Sequence, residues 1–340
     1  MSKKLRVGVL MGGASGEHEV SLVSARSVME SLDKNKYEVI PVKISKNGLW
    51  PKNLLILPEP ARQKFDVVMP VMHGTYGEDG KIQGLLETAN LAYVGCGVLG
   101  SAAAMDKIIA KQLFSQVGLK NTAYQYFTKK QWQKDKAKIL ISLRKLGYPV
   151  FVKPANLGSS VGISKAKNKN KLITAVNLAA SYDRRIIVER AVKNAKEIEC
   201  AVLGNDDPRA SIPGRVIPAD EFYSYKDKYI DDKTGFEIPA KLPKKVIRQI
   251  QQMAILAFKA LDLSGLARVD FLLDKNNNIY LNEVNTMPGF TKISMYPKLW
   301  AKSGLPYERL LDKLIELALE RHRQKNSLKT SYKEGKKINA

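Results

Sequence analysis

The stretch GLARVDFLLDKNNNIYLNEVNTMPGFTKI, residues 265–293, reads as two strands joined by an Asn-rich turn. On the first strand Val269, Phe271 and Leu273 alternate with Arg268, Asp270 and Leu272. On the second, Ile279, Leu281, Glu283 and Asn285 fall on one face. Polar groups thus occupy positions that a core would fill. If the turn takes the six residues from Asp274 to Ile279, Asp270 lies directly opposite Glu283. Two carboxylates facing each other across a ladder destabilise a sheet unless a cation sits between them. Carboxylate and amide oxygens suit magnesium, which completes its shell with water and nucleotide phosphates when the protein supplies few ligands. A two-residue slip would pair Arg268 with Glu283 instead, and the four residues alone fit a surface salt-bridge cluster as well as a metal site.

Outward from this hairpin, composition sets the bounds. A chain of 340 residues, 44% hydrophobic, can bury a substantial core and is long enough for two or three domains. Cys96 and Cys200 are its only cysteines, which excludes a disulfide framework and points to a reducing cytoplasm. The basic start MSKKLRVGVLMGG carries an apolar run too short for a signal peptide, and no later stretch is expected to span a bilayer. The formal charge of +23 raises the question of a nucleic-acid partner. However, the excess lysine is spread out. Its denser patches, at residues 129–145 and 321–337, do not interleave aromatics with Arg or Gly as single-strand binders do. No specific nucleic acid is expected, and a scattered positive surface also attracts anionic small molecules such as ATP.

The first hundred residues alternate strand and helix. Strands are expected at residues 4–11, 37–44 and 65–72, with helices carrying Ala25, Val28, Met29 and Leu32, and then Ile82, Leu85, Leu86 and Ala89. This is a parallel, doubly wound layout. A helix over 105–117 is followed by a Lys-rich, weakly patterned segment that marks a boundary near 120. Short strands at 149–154, 186–190 and 197–203 and helices at 168–180 and 243–261 follow. A closing helix at 306–321 leads into a basic tail, expected to be disordered. The division is 1–120, 121–212, 213–324 and the tail 325–340.

Several glycine-rich stretches compete as phosphate binders. VGCGVLGS, with Gly95, Gly97 and Gly100, has dinucleotide-loop spacing but no acidic residue about 20 positions on, so it reads as a tight turn with close packing. A Walker A sequence is absent. VKPANLGSSVGIS, residues 152–164, is the better candidate. A strand delivers Lys153, and a loop with Gly158, Ser159, Ser160 and Gly162 can fold over phosphates with backbone N–H groups and two hydroxyls. MGGASGEHEVS, with Glu17 and Ser21, and MHGTYGEDG, with His73, follow the first and third strands. That edge of a doubly wound sheet is where ligands bind. DEFYSYKDKYIDDKTG, residues 220–235, has no clear period and reads as a lid.

Taken together, GGASGEHEVS, HGTYGEDG, MDK, VKPANLGSSVGIS, VER, EIECAVLGN, FYSYKDKY, RVDF and NEVNTMPGFT resemble the D-alanyl-D-alanine ligases of the ATP-grasp superfamily, in order and spacing, to about residue 322. The resemblance implies an α/β fold of three domains, an N-terminal doubly wound domain followed by two that hold ATP between their sheets. It implies that ATP phosphorylates one D-alanine and that the amine of a second attacks the acyl phosphate, in a bacterial cytoplasm and for peptidoglycan synthesis. Lys107, Lys153, Ser160, Glu189 and Glu197 would hold the nucleotide, with Phe222 and Leu272 against the adenine and Lys228 on the phosphates. Asp270, Glu283 and Asn285 would bind two magnesium ions, with manganese as an alternative. Arg268 and the backbone N–H of Gly289 would stabilise the tetrahedral oxyanion. Glu17 would bind the first amine and, with Ser159 and Tyr229, close the lid. His73, Ser294 and Met295 would line the second D-alanine site. Tyr229 accompanies D-alanine rather than D-lactate as acceptor in such ligases, and they are homodimers.

Overall fold

The computed structural model describes residues 3–51, 64–217 and 235–329. Its N-terminal sheet is parallel, ordered β2-β1-β3, from β1 (Leu5–Gly12), β2 (Tyr37–Ile44) and β3 (Val67–Pro70). Buried on both faces, β1 and β3 are continuous apolar runs rather than alternating ones. Helix α1 (His18–Ser31) turns Ala25 and Val28 inward, and α2 (Lys81–Thr88) does the same with Ile82 and Leu86, while Leu85 faces outward. The helix expected over 105–117 is α4 (Lys107–Gln116), and a further helix, α3 (Val98–Met105), precedes it. Asp106 separates them in extended conformation, its carboxylate capping α4 by accepting from Ile108 N and Ile109 N, each at 3.1 Å. The Gly95-x-Gly97-x-x-Gly100 run starts α3 and serves packing. A side chain at Gly100 would come within 2.8 Å of Leu263 and 2.9 Å of the Asp262 carbonyl.

The middle of the chain forms an antiparallel sheet ordered β4-β7-β5-β6, from β4 (Tyr124–Thr128), β5 (Val150–Pro154), β6 (Ser164–Ala166) and β7 (Arg185–Arg190). Helices α5 (Lys129–Leu143) and α6 (Lys169–Tyr182) accompany it. It has its own core, which includes Phe127, Trp132, Val152, Leu172, Val176 and Val188. The Lys-rich segment expected to be weakly patterned is α5. Thr128 and Gln131 close a capping box, and the helix buries only Trp132 and Leu143, so its lysines remain in water.

The third sheet is ordered β11-β10-β8-β12-β13, from β8 (Lys196–Gly204), β10 (Gly214–Ile217), β11 (Gly235–Glu237), β12 (Gly265–Leu273) and β13 (Ile279–Asn285), with β9 (Arg209–Ala210) at the end of β8. Helix α7 (Lys244–Ala260) packs Ile250, Ala254 and Phe258 into its core. Strand β8 precedes the division drawn at 212, yet it pairs with β12 along nine residues. After α8 (Met295–Lys302), α9 (Tyr307–Asn326) returns to the first sheet, and Leu310, Leu314 and Ile315 share a core with Val7, Val67 and Met69. First and third units are therefore fused, while the middle one stands on its own core. Helix α9 continues beyond Arg321 because that guanidinium is anchored. It bonds the Gly95 and Tyr93 carbonyls and Ser264 Oγ and stacks 4.3 Å from the Tyr93 ring. Residues 325–326, assigned to the tail, are the last helical turn, and 330–340 lie outside the described residues.

Candidate active site

The hairpin places its polar groups by a route that alternation alone does not give. Leu273 pairs with Ile279, so the turn is five residues, not six. Two steps further Phe271 faces Leu281 and then Asp270 faces Glu283, which leaves Asn282 as an extra residue in a β-bulge. The expected face of Ile279, Leu281, Glu283 and Asn285 is therefore broken in the middle. Ile279, Leu281 and Val284 enter the core, while Glu283 and Asn285 line the cleft. Asp270 does lie opposite Glu283. On its other side it faces Glu199 of β8, so three carboxylates stand in a row across three strands.

Arg268 sits among them. Its Nε donates to Asp270 Oδ1 and its Nη2 to Asp270 Oδ2, both at 2.7 Å, and its Nε lies 3.0 Å from Glu199 Oε2. Asn285 Nδ2 donates to Asp270 Oδ2 at 2.9 Å. Glu199 was missed by sequence reasoning, although it alternates with the apolar Ile198, Cys200 and Val202 and so shares a face with Glu197 and Ala201.

A cleft of about 770 Å³ opens in front of this row. The N-terminal loops form one wall. Gly12 and Gly13 have φ of +86° and +96°, and Ser21 accepts from Gly12 N at 2.8 Å and donates to the Val71 carbonyl. Ser21 thus ties the ends of β1 and β3 together and is wholly buried. Beyond it Glu17 reaches into the cleft, its carboxylate fitting against Gly74 and Gly158, where a side chain at Gly74 would come within 2.2 Å of Glu17 Oε2. His73 is buried between the Met287 carbonyl, 2.8 Å from Nδ1, and Ser24 Oγ, 3.0 Å from Nε2. Burial lowers its pKa, with Glu17 opposing. Glu78, which carried no expectation, accepts from Gly74 N at 2.8 Å and Met287 N at 3.0 Å and so joins the first and third units at the cleft floor. Withdrawal from water, and then the nearby Glu17, push its carboxyl up to about 8.

The loop after β5 forms the roof. Ser159 and Ser160 have φ of +51° and +59°, a left-handed conformation that non-glycine residues adopt at a cost, and both line the cleft. Lys107 holds the loop through Nζ on the Leu157 carbonyl at 2.6 Å. Gly289, Ser294 and Met295 line the far end, where Ser294 Oγ accepts from Thr291 N at 3.1 Å.

Lys153 and Glu189 stand together outside this cleft wall, with a third group absent from every motif, Lys111. Glu189 Oε1 lies 3.2 Å from Lys153 Nζ and Oε2 lies 3.3 Å from Lys111 Nζ. Burial raises the Glu189 carboxyl, but the two ammoniums more than offset it and bring it down to about 2. Glu197 and Leu272 are cross-strand partners on one face of the third sheet, beside the row of carboxylates. Phe222, Lys228 and Tyr229, with residues 220–234 of the expected lid, lie outside the described residues.

The donor set fits a hard divalent cation in kind: two carboxylates, Asp270 and Glu283, and one amide, Asn285. Among the described residues no three His, Cys, Asp or Glu side chains converge as a metal site. Asn285 and ligands from outside the protein would have to complete a shell.

A doubly wound domain fused to a third sheet, with a separately cored antiparallel sheet roofing the cleft between them, defines the ATP-grasp class of enzymes. Models of the D-ala D-ala ligase N-terminus and C-terminus match residues 6–56 with 53–96 and residues 113–316. The chain belongs to the D-alanine–D-alanine ligase family. It is 48% identical to a D-alanine–D-alanine ligase of Natranaerobius thermophilus, over 98% of this chain and 100% of the relative. Among solved structures, the D-alanine–D-alanine ligase of Coxiella burnetii superposes with a TM-score of 0.83 at 37% identity, over 96% of this chain and 97% of that one. The Bacillus anthracis ligase complexed with ATP gives 0.78 at 30% identity, over 94% and 99%. No helix among the described residues is long and apolar enough to cross a membrane.

Proposed function

We infer that the chain joins two molecules of D-alanine into D-alanyl-D-alanine at the expense of ATP, releasing ADP and phosphate, as a step of peptidoglycan synthesis in the bacterial cytoplasm. The observation that carries this reading is full-length likeness to ligases of that name together with a cleft where Glu17, the Ser159–Ser160 loop and the Arg268 hairpin meet. The roles follow from charge and position. Glu17, a carboxylate at the mouth of two glycine loops, takes the ammonium of the first D-alanine, whose carboxylate is then presented to the γ-phosphate. Lys107, Lys153, Ser160, Glu189, Glu197 and Leu272 hold the nucleotide, with Phe222 and Lys228 from the lid. Arg268 and the Gly289 N–H stabilise negative charge as the second amine attacks. His73, Ser294 and Met295 bound the acceptor's pocket, and Ser159 and Tyr229 close it.

Asp270, Glu283 and Asn285 would hold two magnesium ions, or manganese, which when bound draw charge from the phosphates. The row's own electrostatics support this. A cation between Asp270 and Glu283 would offset their repulsion, with Arg268 shared between Asp270 and Glu199. We further propose three units divided near 120 and between β7 and β8, and a homodimer.

Incubation with ATP, magnesium and D-alanine tests the reading. One dipeptide and one phosphate should appear per ATP. ATP hydrolysis that is indifferent to D-alanine would refute it, and depsipeptide formation with D-lactate in preference to D-alanine would redirect the acceptor assignment.

A further inference from the structure

Lys111 is among the most deeply buried charged residues described, at 1% exposure. It stands one turn along α4 from Lys107, on the face that also buries Ile108, Ala110 and Phe114. Its Nζ lies 3.3 Å from Glu189 Oε2 and 3.4 Å from Thr122 Oγ1, and Thr122 Oγ1 itself donates to Glu189 Oε2 at 3.0 Å. Lys153 approaches the other oxygen of the same carboxylate at 3.2 Å and donates to Asn282 Oδ1 at 3.4 Å. A lysine is seldom taken out of water without a partner, and here one carboxylate serves two ammoniums. The three groups carry a net single positive charge. Of the two lysines, Lys153 is the more exposed, at 9% against 1%. Were Lys111 absent, Glu189 would neutralise Lys153 one to one.

We propose that Lys111 is a positioning residue for nucleotide binding, pairing with Glu189 from behind so that the three groups keep a net positive charge for the anionic phosphates of ATP. The proposal rests on the reading of Lys153 and Glu189 as nucleotide-site residues. It assigns Lys111 no contact with substrate.

The test uses the full chain with Lys111→Met, Lys111→Gln and the charge-conserving Lys111→Arg. The Gln variant keeps a hydrogen-bonding group toward Thr122 and Glu189, should the Met variant fail to fold. ATP binding is measured by calorimetry without D-alanine, and KM for ATP, KM for D-alanine and kcat by phosphate release. Lys111→Met and Lys111→Gln should each weaken ATP binding and raise its KM by about tenfold, with KM for D-alanine within about twofold of the parent. Lys111→Arg keeps a positive charge behind Glu189 and should bind ATP at least about threefold more tightly than the Met and Gln variants. A structural role would give the opposite: Lys111→Arg binding ATP as weakly as Lys111→Met, or D-alanine KM and kcat that move with the ATP KM. Either result overturns the proposal. Lys153→Met is measured alongside. If it binds ATP as the parent does, the nucleotide-site reading fails and the proposal falls with it, whereas weakened binding there with unchanged Lys111 variants refutes the charge argument alone.

Discussion

Replacing Glu78 by Gln tests the electrostatics of the cleft floor, because this carboxyl is held against its ordinary chemistry. It lies partly buried, accepts from Gly74 N and Met287 N, and titrates at about 8 in the folded chain rather than 4.5. Between those two pH values the unfolded chain has lost the proton that the folded chain retains. The folded state thus binds more protons, and stability falls as pH rises through the window. Below about 4.5 both states are protonated and the group contributes nothing, and above about 8 the penalty is complete. The shift sets a ceiling of about 5 kcal/mol at ~1.36 kcal/mol per unit, and partial exposure to the cleft reduces the expectation to about 2–3 kcal/mol. Urea unfolding of both proteins at intervals from about pH 5 to 8.5 supplies the comparison, with other titrating groups such as His73 common to both. Wild-type stability minus that of Glu78→Gln should decline by about 2–3 kcal/mol across this range. A difference that stays flat, or that grows with pH, refutes the assignment of a raised pKa to Glu78.

Glu283→Gln should lower magnesium-dependent turnover by about 100-fold or more while the thermal midpoint stays within a few degrees of the parent, and near-normal turnover would discredit the metal assignment. Gly12→Ala combines a φ of +86° with a Cβ only 2.3 Å from the Ile44 carbonyl oxygen, a backbone atom that cannot swing aside. A loss on the order of 2–4 kcal/mol in urea unfolding is expected, and a loss under about 0.5 kcal/mol would contradict the packing described. Arg321→Met removes the bonds to Gly95, Tyr93 and Ser264 and the stack on Tyr93, and should cost about 2–3 kcal/mol by the same measurement, with little change in KM for ATP.

Most elements were legible because local pattern and burial agree in them. Residues 37–44 form the strand expected, and the helices expected at 168–180 and 243–261 are off by a residue or two at each end. The failures occur where burial is thin or a boundary is made by one side chain. In α5 only Trp132 and Leu143 are buried, so apolar periodicity says little, although Thr128 and Gln131 spelled a capping box at its start. The start of α4 depends on the Asp106 carboxylate, which places it two residues after the expected start at 105, and the short helix α3 before it carried no expectation. The end of α9 depends on what Arg321 touches some two hundred residues away in sequence, which no local pattern reports.

The site was legible in residue type and illegible in geometry. Glu17, His73, the two serines, Arg268 and Glu283 all reach one cleft, yet they arrive there from loops and strands of all three sheets. Strict alternation would force a choice in β13: either Ile279 and Leu281 or Glu283 and Asn285 could face the core side, but not in the combination observed. One surplus residue, Asn282, resolves that conflict by reversing the face in mid-strand. The turn can then be short and its apolar pair buried while the acids still face Asp270. The same surplus residue directs its amide toward Lys153. The bulge therefore links the carboxylate row to the Lys111–Glu189–Lys153 group, and a change in the hairpin's register would disturb the proposed metal ligands and the proposed nucleotide ligands together.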